Sequence, residues 1–107
     1  MKAILLRQGD VALVPVSAIP QGAKDITPNN DVVLKYGEVT GHAHRIQIDK
    51  PGKLRVWDAN AERYLQVLEV VSLTHEEHSE LVIVPGLYHV PDQVEWTDDD
   101  EPRIVED

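Results

Sequence analysis

The segment HAHRIQID, residues 42–49, places its histidines and isoleucines at every second position. Because successive side chains of a β-strand point to opposite faces, His42, His44, Ile46 and Ile48 would share one face. That face changes from polar to apolar along the segment, as expected where a strand runs from the mouth of a β structure into its core. The pattern therefore predicts a half-buried strand with two histidines at its polar end.

Similar short runs recur on both sides of this segment, and turn signals such as Lys50-Pro51-Gly52-Lys53 separate them. The predicted strands cover residues 2–7, 10–16, 32–39, 42–49, 53–58, 63–74, 80–90 and 93–96. Val, Ile and Leu number 32 among 107 residues, a bias that favours strands, and no long segment has the 3.6-residue period of a helix. The sequence predicts an all-β fold, a small single-domain barrel or a jelly-roll or cupin-like sandwich with little helix.

The acidic charge is concentrated at one end of the chain. Residues 92–107 hold eight acidic residues and one arginine, which accounts for −7 of the net charge of −9. We therefore predict a single β domain over residues 1–96, followed by an acidic, flexible tail over residues 97–107. This charge argues against general binding to nucleic acid or to an anionic membrane. No segment resembles a signal peptide or a membrane span, so we expect a cytoplasmic protein, bacterial or in the host cytoplasm if phage-encoded.

The absence of cysteine restricts any transition-metal site to histidine and carboxylate ligands. The first candidate pair is His42 and His44, which would converge on one face of the strand. A second pair lies in LTHEEH, residues 73–78, where His75 continues the apolar alternation of the preceding strand. Thr74 and Glu77 match a capping box, so this segment could form one helical turn, and an extended hairpin is equally allowed.

The residue types in these two clusters favour a divalent transition metal, Zn, Fe, Mn, Ni or Cu, over Ca²⁺. The predicted ligands are His42, His44, His75 and His78. Glu38 or Glu77 would act as a further ligand, as a group that orients a ligand, or as a general base in catalysis. A metal-bound water could then serve as a hydrolytic nucleophile, for a small-molecule substrate that the sequence does not identify.

Part of this pattern resembles the cupin family. Gly37, His42, His44 and Asp49 resemble the first cupin motif, in which H-x-H and an acidic residue follow a glycine. The segment PGLYH, residues 85–89, resembles part of the second motif, and the Asn expected after its histidine is missing. The resemblance implies that His42, His44, Asp49 and His89 would be the metal ligands.

A second resemblance covers most of the chain. The segments GEVTGHAHR (37–45), LTHEEH (73–78) and PGLY (85–88) resemble a family of small uncharacterised bacterial and phage proteins. This resemblance implies no activity. It does imply that seven residues belong to one site, namely Glu38, Thr40, His42, His44, His75, Glu77 and His78.

An alternative function is a non-catalytic, phage-associated binding or assembly protein. Its histidines would form a structural network of hydrogen bonds instead of holding a metal. Valine-rich strand edges could pair between chains, so a homo-oligomer is expected under this interpretation.

Overall fold

The computed structural model describes residues 5–37, 41–92, 94–96 and 102–104, and in these ranges it contains strands and turns and no helix. The described residues form twelve strands: β1 (Leu6–Gln8), β2 (Val11–Pro15), β3 (Lys24–Asp25), β4 (Val32–Tyr36), β5 (Ala43–Ile46), β6 (Leu54–Ala59), β7 (Glu62–Val67), β8 (Val71–His75), β9 (His78–Ile83), β10 (Gly86–Val90), β11 (Val94–Trp96) and β12 (Pro102–Ile104). The predicted all-β class is confirmed.

The strands form two main antiparallel sheets. One has six strands in the order β1-β2-β10-β7-β6-β3, and the other has four strands in the order β4-β5-β8-β9. Strands β11 and β12 pair separately as a two-stranded ribbon. Within the described ranges no ladder of hydrogen bonds joins the two main sheets, so the fold is a sandwich and the barrel alternative was wrong.

The core lies between the two sheets and is built from alternate residues of each strand. In β6, Leu54 and Val56 are buried while Arg55 between them is exposed. In β8, Val71 and Leu73 are buried in the same way. One continuous apolar cluster includes residues of both sheets: Val11, Leu13, Val32, Leu34, Ile46, Leu54, Val56, Leu65, Val67, Val71, Leu73, Ile83, Tyr88 and Val90. Burial of this shared face holds the sheets together.

Two predicted strands were too long. The run 63–74 is divided into β7 of the six-stranded sheet and β8 of the four-stranded sheet, with exposed residues 68–70 between them. The run 80–90 is divided in the same way between β9 and β10. A continuous apolar run does not show where the chain passes from one sheet to the other, because the strands of both sheets bury side chains in the same core.

The hairpin between β6 and β7 has a strained two-residue turn. Ala59 pairs with Glu62, and the two residues between them, Asn60 and Ala61, both have positive φ (54° and 65°). This is the backbone of a type I′ turn, in which asparagine is well tolerated and alanine is not.

We predict that Ala61→Gly stabilises the protein by about 0.5–1 kcal/mol, because glycine removes the steric cost of positive φ at a smaller cost in chain entropy. Urea denaturation would measure the change. The matched control is Asn60→Gly, for which we expect little gain, and an equal gain at both positions would contradict this account.

The part of the chain predicted to be an acidic tail contributes β12, which pairs with β11. Residues 97–101 and 105–107 lie outside the described ranges, so the proposed division at residues 96 and 97 stays a prediction. In the portion of the chain that the structure describes, no helix has the length and hydrophobicity needed to cross a bilayer.

Candidate metal centre

A pocket of about 340 Å³ opens at one end of the sandwich, where both sheets contribute. The four-stranded sheet supplies β5 and the β8–β9 hairpin, and the six-stranded sheet supplies the turn between β1 and β2. The pocket is lined by Gly9, Asp10, Gly37, His42, His44, His75, Glu77 and His78. Four of the five histidines of the chain therefore meet in one place.

Strand pairing brings the two histidine clusters together. β5 and β8 are antiparallel neighbours in which Arg45 lies opposite Thr74. The next position toward the pocket is therefore occupied by His44 on β5 and by His75 on β8, with ring centroids 4.3 Å apart. His75 in turn pairs with His78 across the turn that joins β8 to β9, with ring centroids 4.7 Å apart.

The segment at residues 73–78 is thus a hairpin, and the helical-turn alternative was wrong. Only Glu76 and Glu77 separate the two paired histidines. The rings of His44 and His78 are stacked at 5.5 Å. One donor atom from each of the three rings lies within 4.8 Å of the others, so His44, His75 and His78 could hold a metal ion.

Gln8 is a buried polar side chain beneath the pocket, with only 4% of its surface exposed. Its Nε2 donates hydrogen bonds to Leu73 O at 2.7 Å and to Ser79 O at 2.9 Å. Its Oε1 therefore faces His44, at 2.8 Å from Nδ1. Because Oε1 can only accept, the proton of a neutral His44 ring lies on Nδ1. Gln8 thus selects the tautomer of His44 that presents the lone pair of Nε2 to the pocket.

The other ring nitrogen of His44 faces a carboxylate. His44 Nε2 lies 3.2 Å from Asp10 Oδ1. Burial, reinforced by the nearby His75, lowers the pKa of His44, and the opposing effect of Asp10 is smaller. Burial acts to raise the pKa of Asp10, but Lys35 Nζ at 2.6 Å, a main-chain hydrogen bond and His44 together lower it. The Asp10 carboxylate thus lies between two groups, with Oδ1 next to His44 Nε2 and Oδ2 next to Lys35 Nζ.

His75 is held in the metal-free chain by its own turn. The main-chain N–H of Glu77 donates a hydrogen bond to His75 Nδ1 at 3.0 Å. In a neutral ring this bond occupies the lone pair and leaves the proton on Nε2. An ion that binds His75 must therefore displace the Glu77 amide. His44 presents Nε2 to the pocket, whereas one ring nitrogen of His75 is already occupied by a main-chain hydrogen bond.

A second group of possible ligands overlaps the first, because one donor atom each from His42, His75 and Glu76 also lies within 4.8 Å of the others. Glu76 Oε1 accepts a hydrogen bond from the main-chain N–H of Ala43 at 2.7 Å, and this bond lowers the pKa of Glu76. His42 Nδ1 is buried without a hydrogen-bond partner in the described ranges. Glu77 Oε2 lies 3.9 Å from His42 Nδ1.

Two glycines leave room for the rings. Gly9 has φ of +57°, and a Cβ added there would lie 2.6 Å from His78 Nε2. At Gly37, an added Cβ would lie 3.1 Å from His42 Cβ and 3.4 Å from His75 Nε2. Any side chain at residue 9 would therefore displace the His78 ring from the pocket, and one at residue 37 would crowd two further histidines.

Most of the predicted site residues lie in the pocket. His42, His44, His75, His78 and Glu77 line it, as the two sequence clusters suggested. Glu38 and Thr40 lie outside the described residues, so their predicted roles stay predictions.

Sequence reasoning missed Gln8, Asp10 and Glu76. The first two come from Gln8-Gly9-Asp10, the turn that joins β1 and β2, far from the histidines in sequence. The sequence carries no local signal for either residue, because Gln8 follows the charged Arg7 and Asp10 lies in a turn. Glu76 lies inside LTHEEH but received no predicted role of its own.

The two additional ligands implied by the cupin resemblance lie elsewhere. Asp49 Oδ1 is paired with Lys53 Nζ at 3.0 Å, and His89 Nε2 is paired with Glu62 Oε2 at 2.6 Å. Neither residue lines the histidine pocket. The structure brings His42 and His44 together with the β8–β9 hairpin instead.

A family model described as a domain of unknown function (DUF8820) matches residues 7–93, and the chain belongs to this family. The matched region includes all the pocket residues named above. No curated protein and no solved structure matches the chain.

Proposed function

We propose that this member of the DUF8820 family is a metal-binding protein that holds one divalent transition-metal ion with His44, His75 and His78. The observation that carries the proposal is the state of His44. Its Nδ1 donates a hydrogen bond to a buried glutamine, burial lowers its pKa, and its Nε2 lies in the pocket 3.2 Å from Asp10 Oδ1. Metal-binding histidines characteristically donate their second ring N–H to an oxygen acceptor, which is the role that Gln8 Oε1 plays here.

The charges around the pocket also favour a cation. Asp10 and Glu77 line the pocket, Glu76 lies within 4.8 Å of His42 and His75, and Lys35 is paired with Asp10. The local charge is therefore negative before an ion binds, which would concentrate cations there. Nitrogen donors with one adjacent carboxylate suit Zn, Fe, Mn, Ni or Cu better than Ca²⁺ or Mg²⁺.

The same site would suit a metal-dependent enzyme acting on a small molecule. Three histidine ligands leave a coordination position for water, and a bound ion would make that water a stronger acid. Glu77 lines the pocket and its side chain is 66% exposed, so its carboxylate is available to accept a proton from such a water. A general-base role for Glu77 is part of this proposal, and so is a general-base role for Glu38.

The test is metal titration of the full chain after chelator treatment and dialysis. We expect one Zn²⁺ or Co²⁺ per chain by calorimetry, and no binding of Ca²⁺ or Mg²⁺ at the same concentrations. At about 100 times Kd the bound ion should stabilise the fold by about 2.7 kcal/mol. That corresponds to a rise in Tm of roughly 10–20 °C for a domain of this size.

A metal-free chain whose Tm is indifferent to all these ions would overturn the proposal. It would favour the alternative of a non-catalytic, phage-associated binding or assembly protein with a structural histidine network. The hydrogen bond from Glu77 N–H to His75 Nδ1 is the observation that favours this alternative, because it satisfies one ring without a metal. Light scattering with and without chelator would test the homo-oligomer expected in that case.

A further inference from the structure

Lys35 is turned toward the histidine pocket by an irregularity in β4. Val33 lies opposite Arg45, whereas Lys35 lies opposite His44, so Leu34 is an extra residue that forms a β-bulge. In a regular strand Lys35 would point away from the core, because its neighbour Leu34 is buried there. Residues opposite each other on paired strands point to the same side, so the bulge brings Lys35 to the side of the buried His44.

The bulge is held by Arg63, which belongs to β7 of the opposite sheet. Its Nη1 donates a hydrogen bond to Val33 O at 2.9 Å, and its Nη2 donates one to Leu34 O. A bulge interrupts the regular ladder of hydrogen bonds, and Arg63 supplies charged donors to two of its carbonyl oxygens. The strand that carries Lys35 is therefore fixed in this irregular path from across the sandwich.

The ammonium group of Lys35 lies close to the ring nitrogen that faces the pocket. Lys35 Nζ is 2.6 Å from Asp10 Oδ2, and His44 Nε2 is 3.2 Å from Asp10 Oδ1. Because one carboxylate group separates the two nitrogens, the distance between them is no more than roughly one Debye length, about 8 Å at physiological ionic strength. A cation bound at His44 Nε2 would therefore be repelled by Lys35.

We propose that Lys35 is an internal cation that opposes metal binding: it supplies a positive charge beside the pocket and lowers the affinity of the site for its ion. The direction of this effect follows from the charge of Lys35 and does not require Asp10 to bind the ion. The inference rests on the proposed function, because it concerns the same site. It adds a residue outside the three histidines that controls how readily the ion is released.

The experiment is calorimetric titration of the full chain with Zn²⁺. Lys35→Met removes the charge but keeps most of the length of the side chain, so we expect one ion per chain and a Kd lower by about three- to tenfold. Lys35→Arg keeps the charge and should keep the wild-type Kd. The gain in Lys35→Met should also shrink when the titration is repeated at high salt, because salt screens the repulsion.

Lys53→Met is the matched control. Lys53 is also an ion-paired lysine, with Nζ 3.0 Å from Asp49 Oδ1, and neither residue lines the histidine pocket. We expect the wild-type Kd for this control. An equal gain in Lys53→Met would mean that the net charge of the chain sets the affinity, and it would overturn the specific role of Lys35.

Other outcomes separate this inference from the proposed function. Binding of one ion with unchanged or weaker affinity in Lys35→Met would overturn the role of Lys35 and leave the proposed function intact. If Lys35→Arg then restored a weakened affinity, the pair of Lys35 with Asp10 would be a support of the site and not an opponent of the ion. No binding by the wild-type chain or by any variant would overturn the proposed function, and the role of Lys35 with it.

Discussion

Replacing His44 with alanine is expected to weaken metal binding by at least about 100-fold, the upper end of the loss seen when a group supporting a ligand is removed. Of His44, His75 and His78, His44 is the ring that a buried glutamine orients, and burial lowers its pKa. A 100-fold loss of affinity corresponds to about 2.7 kcal/mol of metal-dependent stabilisation. The measurement is the difference in Tm with and without Zn²⁺ for each variant, combined with calorimetric titration.

The Tm has to be measured both with and without Zn²⁺, because His44→Ala also affects the stability of the metal-free protein. The substitution leaves Gln8 Oε1 buried without its partner, which costs about 1–3 kcal/mol in either condition. His89→Ala is the matched control, since His89 is paired with Glu62 outside the pocket. We expect it to keep the full metal-dependent shift. A full shift in His44→Ala would show that His44, His75 and His78 do not hold the ion.

The second large effect is expected at Gln8. Gln8→Leu preserves side-chain size but removes hydrogen bonds to Leu73 O, Ser79 O and His44 Nδ1. These groups are left in a buried or partly buried environment, so the free energy of unfolding should fall by about 2–4 kcal/mol. The affinity for the metal should also fall by about 10- to 100-fold, because the His44 tautomer is no longer selected.

Gln66→Leu provides the control for Gln8→Leu. Gln66 accepts one hydrogen bond, from Trp57 Nε1 at 3.1 Å, and it lies at a half-buried position on β7. We expect a loss of less than about 1.5 kcal/mol and no effect on metal affinity. Urea denaturation without metal measures the stability, and titration measures the affinity. If both glutamine variants had equal affinity for the ion, Gln8 would have no role in selecting the tautomer.

The histidine pairs could be predicted from the sequence because each pair is local. His42 and His44 are two residues apart on an alternating segment, and His75 and His78 flank a possible turn. That the pairs converge depends on β5 lying next to β8, which no local pattern encodes. A local motif can therefore imply ligands that the fold does not bring together. The cupin resemblance implied ligand roles for Asp49 and His89, which lie outside the pocket.

The groups that prepare the site could not be predicted in this way. Gln8 is 36 residues from His44 and 65 residues from Leu73, yet it bonds to both. Asp10 occupies a turn in which an acidic residue is unremarkable. The roles of Gln8 and Asp10 depend on the fold around them. A polar side chain acquires a fixed orientation only when the surrounding residues leave it one set of hydrogen-bond partners.

The sequence by itself determined the all-β class and the kinds of metal ligand available. Alternation of apolar side chains specifies strands, and a chain without cysteine can offer a transition metal mainly imidazole and carboxylate groups. The tertiary structure alone decided that the sheets form a sandwich, that residues 73–78 form a hairpin, and that Gln8 and Asp10 meet His44. The physical reason is that strand formation is encoded by residues close together in the chain. Strand pairing and side-chain protonation instead depend on contacts between residues tens of positions apart.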